Sequence, residues 1–343
     1  MKAVHIPEHG PPSVLQLVDL PEPEPGPGEV LLRVIAVSVN HLDLWVRRGM
    51  PGVKVPLPRI PGCDGTAEVV ALGAGASRVA VGQKVVLEPG YTGAGSVFRE
   101  GRDHLADDYG IRGEHCDGFD RELVCLPERY VLPLLAGVDP VEGAAIPLVF
   151  LTAWGLLHTR AHLHPGETVL VIGGASGVGS AAIQLARQAG ARVLATAGSE
   201  AKRALARELG AEETFDHTDF DWPKAVKQAS EGRGADVVVE HVGPATWDGS
   251  LRVLARNGRL VTCGATTGPE VRVVLPHLFI KNQSILGSTM GPKSCLPEVF
   301  AGVADGRYRP VIDSVMPMSA VRAAHQRLED RAALGKIVLV PSE

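Results

Sequence analysis

Two patterns of apolar positions divide the chain near residue 130. Before this point, short segments alternate between apolar and polar positions, as half-buried strands do. After it, helical patterns alternate with short apolar runs, which predicts a doubly wound parallel sheet with helices on both faces. The predicted strands of this second part lie at 168–172, 192–196, 213–215, 236–240, 259–263 and 284–288, the last of them at an edge. The predicted helices between them lie at 178–189, 199–209, 221–231 and 246–255.

The first part of the chain is predicted to be rich in strands. Residues 1–6 and 14–18 indicate a hairpin, and the proline-rich connector at 20–29 excludes helix and central strand. Further strands are predicted at 30–39, 66–72, 83–88 and 123–126, and a long polar segment at 91–117 is predicted to be irregular. Helices are predicted at 139–145, 148–158, 296–306 and 320–328. The final strand, 336–341, is expected to return to the first part.

The segment 168–191 combines a buried strand, a glycine-rich turn and a helix. Glycines let a backbone turn tightly and approach a diphosphate, whose charge is stabilised at the positive helix N-terminus. The spacing is Gly-x-Ser-x-x-Gly, and its context between strand and helix favours a dinucleotide site over a purely structural turn. The candidate phosphate-binding residues are Gly174, Ser176, Gly177, Val178 and Gly179.

Composition narrows the class of protein. The 343 residues include 45% hydrophobic and 21% charged residues, as ordinary globular domains do. A net charge of −5 gives no reason to expect nucleic acid or an anionic membrane as a partner. The longest apolar run, 143–157, is too short for a membrane span, and the first residues do not form a signal segment. Five cysteines without a C-x-x-C pair are typical of a reducing compartment, so we expect a cytoplasmic protein.

The order of motifs resembles the medium-chain dehydrogenase/reductase superfamily over essentially the whole chain, and within it the quinone oxidoreductase and zinc-type alcohol dehydrogenase-like branch. The matching stretches are VSVNHLDLWVRRG (37–49), PGCDGTAEVVALGAG (61–75), VGQKV (81–85), PLVFLTAW (147–154), GGASGVGSAAIQLARQAGARV (173–193), GRLVTCGATTG (258–268) and GKIVL (335–339). The resemblance implies a GroES-like β-rich catalytic domain over 1–130, to which 292–343 returns. It also implies a Rossmann NAD(P)-binding domain over 131–291, with substrate held in the cleft between the domains.

The resemblance also identifies the positions where zinc alcohol dehydrogenases hold their catalytic zinc. Asn40, the pair Cys63-Asp64 and Leu148 occupy these positions here. Catalytic zinc requires three protein ligands, and asparagine and leucine do not provide them, so no catalytic zinc is expected. A metal collected by Cys63, Asp64 and His41 stays open as the alternative.

The structural zinc of such relatives is held by four cysteines in the long loop. Their positions correspond here to Gly93, Ser96, Arg99 and Asp107, so the thiolates of a tetrahedral site are missing. A lobe held by packing and hydrogen bonds is expected instead. Three other residues of this loop, His104, His115 and Cys116, are expected at the surface rather than as ligands.

The coenzyme is expected to be NADPH, with NADH as the alternative. NAD-binding Rossmann folds place an acidic residue after the second strand, and Ala197 occupies that position here. Ser199, Lys202 and Arg203 could bind a 2′-phosphate, although a solvated helix face would also account for them. Lys336 matches a basic position that contacts the cofactor diphosphate in relatives. Val242, Cys263 and Gly264 follow two strands that end at the edge of the sheet where cofactors bind, so they are further candidates for cofactor contacts. Tight turns would equally explain these residues.

The remaining chemistry is hydride transfer to an electron-poor carbon. Without a metal to polarise a carbonyl, quinones, enones and related carbonyls are easier substrates than saturated alcohols. The candidate proton donors are Asn40, His41 and Trp45, oriented by Asp43. Alternatively, Asn40 and Asp43 fix the turn after strand 30–39, and His41 is a hydrogen-bonded core residue.

The sequence therefore predicts a zinc-independent, NADPH-preferring oxidoreductase that acts on small carbonyl or quinone substrates. An alcohol dehydrogenase acting on alcohols or aldehydes and a non-catalytic NADPH-binding redox sensor are the two alternatives. The resemblance suggests a homodimer or homotetramer, joined through the strand at 284–288.

Overall fold

The computed structural model describes residues 1–50, 52–93, 96 and 101–341. Arg99, one of the positions singled out above, lies outside the described residues. The chain divides into two compact units, one formed by Met1–Leu148 and Leu296–Glu343, the other by Val149–Cys295. Compact units are not by themselves functional domains, so the domain limits given above stay a prediction. No helix of the described residues is long and apolar enough to cross a membrane.

The first unit begins with a hairpin and continues into a sheet. Its elements up to residue 148 are β1 (Lys2–His5), β2 (Gln16–Asp19), β3 (Glu29–Val39), α1 (His41–Arg48), β4 (Gly65–Leu72), β5 (Lys84–Leu87), β6 (Gly90–Tyr91), β7 (Gly110–Ile111), β8 (Leu123–Pro127), β9 (Val131–Pro133) and α2 (Pro140–Ala144). Strand β3 alternates as the sequence predicts: Val30, Leu32 and Val34 are buried in the core, whereas Arg33 is exposed.

The second unit alternates helices and strands around a parallel sheet. Its elements are α3 (Pro147–Trp154, continued by a π-helical segment at Gly155–Arg160), β10 (Thr168–Val171), α4 (Gly177–Gln188), β11 (Arg192–Thr196), α5 (Glu200–Glu208), β12 (Glu213–Phe215), α6 (Trp222–Ala229), β13 (Ala235–Glu240), α7 (Pro244–Val253), β14 (Leu254–Thr262), α8 (Leu275–Ile280) and β15 (Ser284–Gly287). The strands pair in the order β12-β11-β10-β13-β14-β15, and all five pairs are parallel. All residues of β10 are buried, as in a strand covered on both faces.

The end of the chain returns to the first sheet. It forms α9 (Leu296–Ala304), β16 (Ile312–Pro317), α10 (Val321–Glu329) and β17 (Lys336–Val340). Strand β17 pairs antiparallel with β3 and parallel with β16, which gives the order β16-β17-β3-β4-β5-β9, with β8 also on β3. The predicted return of the last strand is therefore confirmed, and so is the α/β fold class with its doubly wound parallel sheet.

Some predicted elements were wrong in extent or missing. The segment after β3, treated above as a turn, is helix α1, because Leu44 and Val46 supply an apolar face that packs into the core. Residues 254 and 255, predicted as helix, begin the long strand β14. The sequence analysis did not find β9, β16 or α8, which are short or lie partly exposed.

Candidate active site and cofactor site

The turn between β10 and α4 needs glycine at defined positions. Gly173 has φ +67°, a conformation that residues with side chains rarely adopt. At Gly179, a Cβ atom would lie 2.2 Å from the carbonyl oxygen of Gly173, so the helix can approach the turn only without a side chain. The buried Gly174 donates its N–H to the Thr196 carbonyl at 2.9 Å, which fixes the turn to the neighbouring strand.

The first three amides of α4 differ in their hydrogen bonding. The Ser176 hydroxyl accepts a hydrogen bond from the Gly179 N–H at 3.0 Å and caps the helix. Within the described part of the chain, the N–H groups of Gly177 and Val178 have no hydrogen-bond acceptor. Both residues are partly exposed, so these two donors and the helix dipole can bind an anion such as a diphosphate.

A histidine that sequence reasoning missed lies beside this turn. The Nε2 atom of His241 is 3.3 Å from Ser176 Oγ, and its Cε1 atom is 3.2 Å from where a Cβ on Gly173 would lie. Desolvation lowers the pKa of His241, which keeps the ring neutral at pH 7. Its position directly after β13, at the carboxyl edge of a parallel sheet, is the signal that could have identified it.

The other predicted residues of this edge lie where strands β13 and β14 end. Val242 donates its N–H to Glu240 Oε1 at 2.7 Å and accepts the Thr267 N–H at 2.8 Å. Cys263 and Gly264 follow β14 directly. Desolvation raises the pKa of the Cys263 thiol to about 12, so it is a neutral thiol rather than a nucleophile. A contact between these residues and a cofactor stays a prediction.

The segment after β11 contains both signs of charge. Ala197 is buried, and the Ser199 hydroxyl caps α5 by accepting the Lys202 N–H at 3.4 Å. Arg203 forms ion pairs with Glu200 at 3.0 Å and with Asp216 at 2.5 Å. Hydrogen bonds from Thr218, with Arg203 adding to them, lower the pKa of Asp216 to about 2. The sequence analysis missed Asp216, because this carboxylate follows β12 and not the strand where acidic residues are usually sought.

In the first unit, Asn40 joins four groups into a buried network. Its Nδ2 atom lies 3.0 Å from the Ser38 carbonyl oxygen, 3.0 Å from Asp64 Oδ1 and 3.2 Å from Cys63 Sγ. Its Oδ1 atom accepts a hydrogen bond from the Lys336 ammonium group. The Asn40 side chain is thus fully engaged within its own unit and is 4% exposed.

Asp64 is the acceptor at the centre of this network. Its Oδ1 atom also accepts the Ser38 hydroxyl at 2.6 Å, and its Oδ2 atom accepts the Leu148 N–H at 2.9 Å. The two oxygens of this fully buried carboxylate are therefore satisfied by protein donors.

Lys336 is the cation of the network. Its ammonium group donates to the Val39 carbonyl at 3.1 Å as well as to Asn40, and the residue is 4% exposed. The sequence analysis placed Lys336 on the cofactor diphosphate. In the structure its donors are directed to the end of β3, and a contact with cofactor stays a prediction.

Asp43 is buried beneath the start of α1. Its carboxylate accepts the Asn40 N–H at 2.7 Å and the Gly62 N–H at 3.0 Å. Desolvation raises the pKa of Asp43 from 3.8 to about 6, although both hydrogen bonds and Lys336 oppose the shift. These contacts tie the helix to the neighbouring loop, in accordance with the alternative reading in which Asp43 fixes this segment.

His41 and Trp45 lie on one face of α1 and are partly exposed. Their ring centroids are 6.5 Å apart, with the ring planes tilted by 55°. Of the four candidate catalytic residues, these two are the ones whose side chains reach the surface of the unit, whereas Asn40 and Asp43 are buried.

The donor set at the catalytic zinc positions does not fit zinc. Asn40 offers an amide, Leu148 offers no ligand atom, and Asp64 is bound by three protein donors. Burial and the neighbouring carboxylates raise the pKa of the Cys63 thiol well above its ordinary value, whereas zinc requires the thiolate. Within the described residues, no group of three or more histidine, cysteine, aspartate or glutamate side chains could hold a metal ion.

The lobe that carries structural zinc in relatives is organised by other contacts. Asp108 accepts the Gly93 N–H at 2.8 Å and the Ser96 hydroxyl at 2.5 Å. The buried guanidinium group of Arg112 lies 5.2–5.7 Å from three aromatic ring centroids, those of Tyr91, Phe119 and Tyr130. The Arg112 guanidinium group and these three rings therefore pack together in this lobe.

Of the three loop residues expected at the surface, one is placed differently. His104 is 6% exposed and belongs to the interior of the lobe, so the expectation for it was wrong. The side chain of His115 is 47% exposed, as expected, and Cys116 is partly exposed.

The raised pKa of Asp43 predicts a pH dependence of stability. The folded protein holds this proton up to about pH 6, whereas the unfolded chain releases it near 3.8. The stability that Asp43 contributes is therefore full below pH 3.8 and is lost as the pH rises to about 6, by at most about 3 kcal/mol. Urea unfolding at several pH values should show the free energy of unfolding of wild type falling relative to Asp43→Asn over this interval. If the difference in unfolding free energy between wild type and Asp43→Asn stays constant between pH 4 and 6, the raised pKa of Asp43 is contradicted.

Family models and curated relatives both assign the chain to one family. The zinc-binding dehydrogenase family matches residues 177–305, and the alcohol dehydrogenase GroES-like domain matches residues 26–136. The quinone oxidoreductase of Pseudomonas aeruginosa is 32% identical over 352 aligned residues, which cover 99% of each chain.

Solved structures agree with this family. The chain is 44% identical to the crystal structure of an NAD-dependent alcohol dehydrogenase, with a TM-score of 0.95 over 100% of both chains. It is 32% identical to a cobalt- and zinc-bound thermostable alcohol dehydrogenase from Pyrobaculum aerophilum, with a TM-score of 0.88 over 99% of both chains. The resemblance given above is confirmed: the chain belongs to the medium-chain dehydrogenase/reductase superfamily and is an NAD(P)-dependent oxidoreductase.

Proposed function

We propose that the protein reduces quinones, enones or related carbonyls with NAD(P)H and without zinc. The observation that carries the proposal is the donor set at the zinc positions, where the Asn40 amide hydrogen-bonds both Cys63 and Asp64. The name of the Pseudomonas aeruginosa relative, a quinone oxidoreductase, supports the same substrate class. When bound, the coenzyme supplies the hydride, and a conjugated acceptor then needs a hydrogen bond and a proton.

The chain's own residues position the reactants. The amides of Gly177 and Val178 would bind the coenzyme diphosphate. His41 and Trp45 can each donate an N–H to the oxygen on which negative charge develops, since both side chains are partly exposed. The buried network around Asn40 keeps the start of α1 in place and so fixes the direction of both rings.

Metal content and substrate range test the proposal together. We expect purified protein to contain no stoichiometric zinc, and its quinone or enone reduction to survive incubation with a chelator. Elemental analysis and a panel of quinones, enones, aldehydes and alcohols, run with each coenzyme, measure both properties. The alternative is an alcohol dehydrogenase, as the names of two solved relatives suggest. Stoichiometric zinc, together with alcohol oxidation that a chelator abolishes, would favour this alternative. Coenzyme binding without turnover on any substrate would favour the redox sensor.

The division between exposed and buried residues predicts two kinds of variant. His41→Ala and Trp45→Phe should lower kcat/KM by about tenfold or more, with the free energy of unfolding little changed, since each removes an N–H donor of a partly exposed side chain. Asn40→Ala should instead cost about 2–4 kcal/mol of stability, because it leaves Lys336 and Asp64 with fewer partners in the interior. His5→Ala, a partly exposed histidine of β1, is the control. Unchanged turnover in His41→Ala and Trp45→Phe would remove both residues from the mechanism.

For the coenzyme we propose NADPH, bound at its 2′-phosphate by Ser199, Lys202 and Arg203. The buried Ala197 offers no carboxylate to repel the phosphate. One observation favours NADH as the second candidate: Arg203 is already paired with Asp216 and Glu200, so a phosphate has to compete with these carboxylates.

This competition gives a direct test of the coenzyme. Asp216→Asn should raise the ratio of kcat/KM for NADPH to that for NADH several-fold, and Arg203→Ala should lower it, by about tenfold. Steady-state kinetics with both coenzymes measure the ratio, and Arg187→Ala, at an exposed arginine of α4, is the control. A wild-type enzyme that prefers NADH would contradict the NADPH proposal.

We also propose a homodimer or homotetramer that uses the edge strand β15. Among the residues that the structure describes, this strand ends the sheet and pairs on one side only, with β14. The preceding helix α8 leaves Leu275, Phe279 and Ile280 between 59% and 66% exposed, a patch typical of an interface.

Oligomeric state tests this edge. Light scattering coupled to size exclusion should give a dimer or a tetramer, and Phe279→Glu should shift it toward the monomer, because a charge would be buried at the contact. Phe220→Glu, also on an exposed phenylalanine of the same unit, should leave the mass unchanged. A monomeric wild type at micromolar concentration would exclude the proposed contact. We also propose a reducing, cytoplasmic location, since none of the five cysteines, all of which lie within the described residues, forms a disulfide.

A further inference from the structure

A cavity of about 460 Å³ lies at the amino edge of the six-stranded sheet. It is formed where β13 and β14 begin, beside the C-terminal ends of α6 and α8. Its volume is in the range of small-molecule sites. The lining residues are Lys227, Gly232, Arg233, Asp236, Leu254, Ala255, Arg256 and Lys281.

Positive charge dominates this cavity although the whole chain has a net charge of −5. Four cationic side chains face one carboxylate, Asp236, which is paired with Arg233. In the parts of the chain that the structure describes, no carboxylate oxygen lies within 4.0 Å of the side-chain nitrogens of Lys227, Arg256 or Lys281. Three positive charges are therefore left without an ion-pair partner there.

The cations are held in place by backbone contacts. Lys227 Nζ lies 3.2 Å from the carbonyl oxygen of Arg233, and Arg256 Nη1 lies 3.1 Å from that of Ile280. Burial lowers the pKa of Lys227, and repulsion from the nearby Lys281 ammonium group lowers it further. A helix C-terminus favours one lysine by its dipole, but this does not explain why cations from four segments converge.

We propose that this cavity is a second anion site, which binds the diphosphate group of a small molecule. A diphosphate carries several negative charges on adjacent phosphate groups. Bound between the two lysines, it would offset the repulsion between their ammonium groups. The site is distinct from the coenzyme site, because the turn before α4 lies at the carboxyl ends of the same parallel strands. Strand β13, from Ala235 to Glu240, separates the two edges by roughly 16 Å.

Calorimetric titration of the protein saturated with NADPH tests the site, since the coenzyme then occupies its own phosphate positions. Inorganic pyrophosphate is the first probe and ADP the second. Each should bind saturably at one site per chain. Tighter binding of ADP would identify a nucleoside diphosphate as the source of the group, and equal binding would identify the free anion. Absence of saturable heat for both probes with the NADPH-saturated protein, even where the coenzyme-free protein gives it, would overturn the proposal.

Matched variants separate the cavity from general electrostatics. Lys227→Ala combined with Lys281→Ala should weaken pyrophosphate binding by about tenfold or more, because two charge-assisted contacts are lost. Lys224→Ala combined with Arg272→Ala removes the same charge from exposed positions of the same unit and should change the affinity less than about twofold. Equal loss in both pairs would refute the site. Arg256→Gln, at an exposed side chain, gives an independent variant, and circular dichroism confirms that each variant is folded.

Discussion

The structure of the second unit depends on a close approach between a turn and a helix. Helix α4 can begin where it does because Gly179 has no Cβ atom, which would otherwise lie 2.2 Å from the Gly173 carbonyl oxygen. With this approach, the amides of Gly177 and Val178 at the carboxyl edge of the sheet have no acceptor among the residues that the structure describes. A helix N-terminus with open donors at a buried parallel sheet binds phosphate groups, which is how an NAD(P)-dependent oxidoreductase holds its coenzyme.

In the first unit, a carboxylate and a cation are buried close together. Asp64 and Lys336 do not touch directly; the Asn40 amide lies between them, donating to one and accepting from the other. An amide in this position gives each of the two buried charged groups a hydrogen-bond partner. In the lobe that carries structural zinc in relatives, Asp108 accepts hydrogen bonds from Gly93 and Ser96, two of the positions where those relatives have thiolates. The Arg112 guanidinium group packs separately, against aromatic rings.

The parts predictable from sequence are those encoded by local pattern. Periodicity predicts the central strands of the parallel sheet, and the order of motifs predicts the glycine-rich turn and the return of β17. The partners of single side chains do not, because they come from distant parts of the chain. Asp216, after β12, pairs with Arg203 of α5, and Lys336 contacts Asn40 across 296 residues. His104 is polar and lies in a polar loop, so its burial in the lobe could not be expected from its neighbours.

Binding of NADPH to wild type and to Gly179→Ala measures the central claim most directly, with Gln188→Ala at the far, exposed end of α4 as the control. Calorimetry should give saturable binding to wild type and to the control. Affinity for Gly179→Ala should fall by about tenfold or more, since the new methyl group forces the helix away from the turn. A crystal structure of the complex should place the diphosphate against the amides of Gly177 and Val178. Equal affinity in all three proteins, or a diphosphate bound elsewhere, would contradict the account.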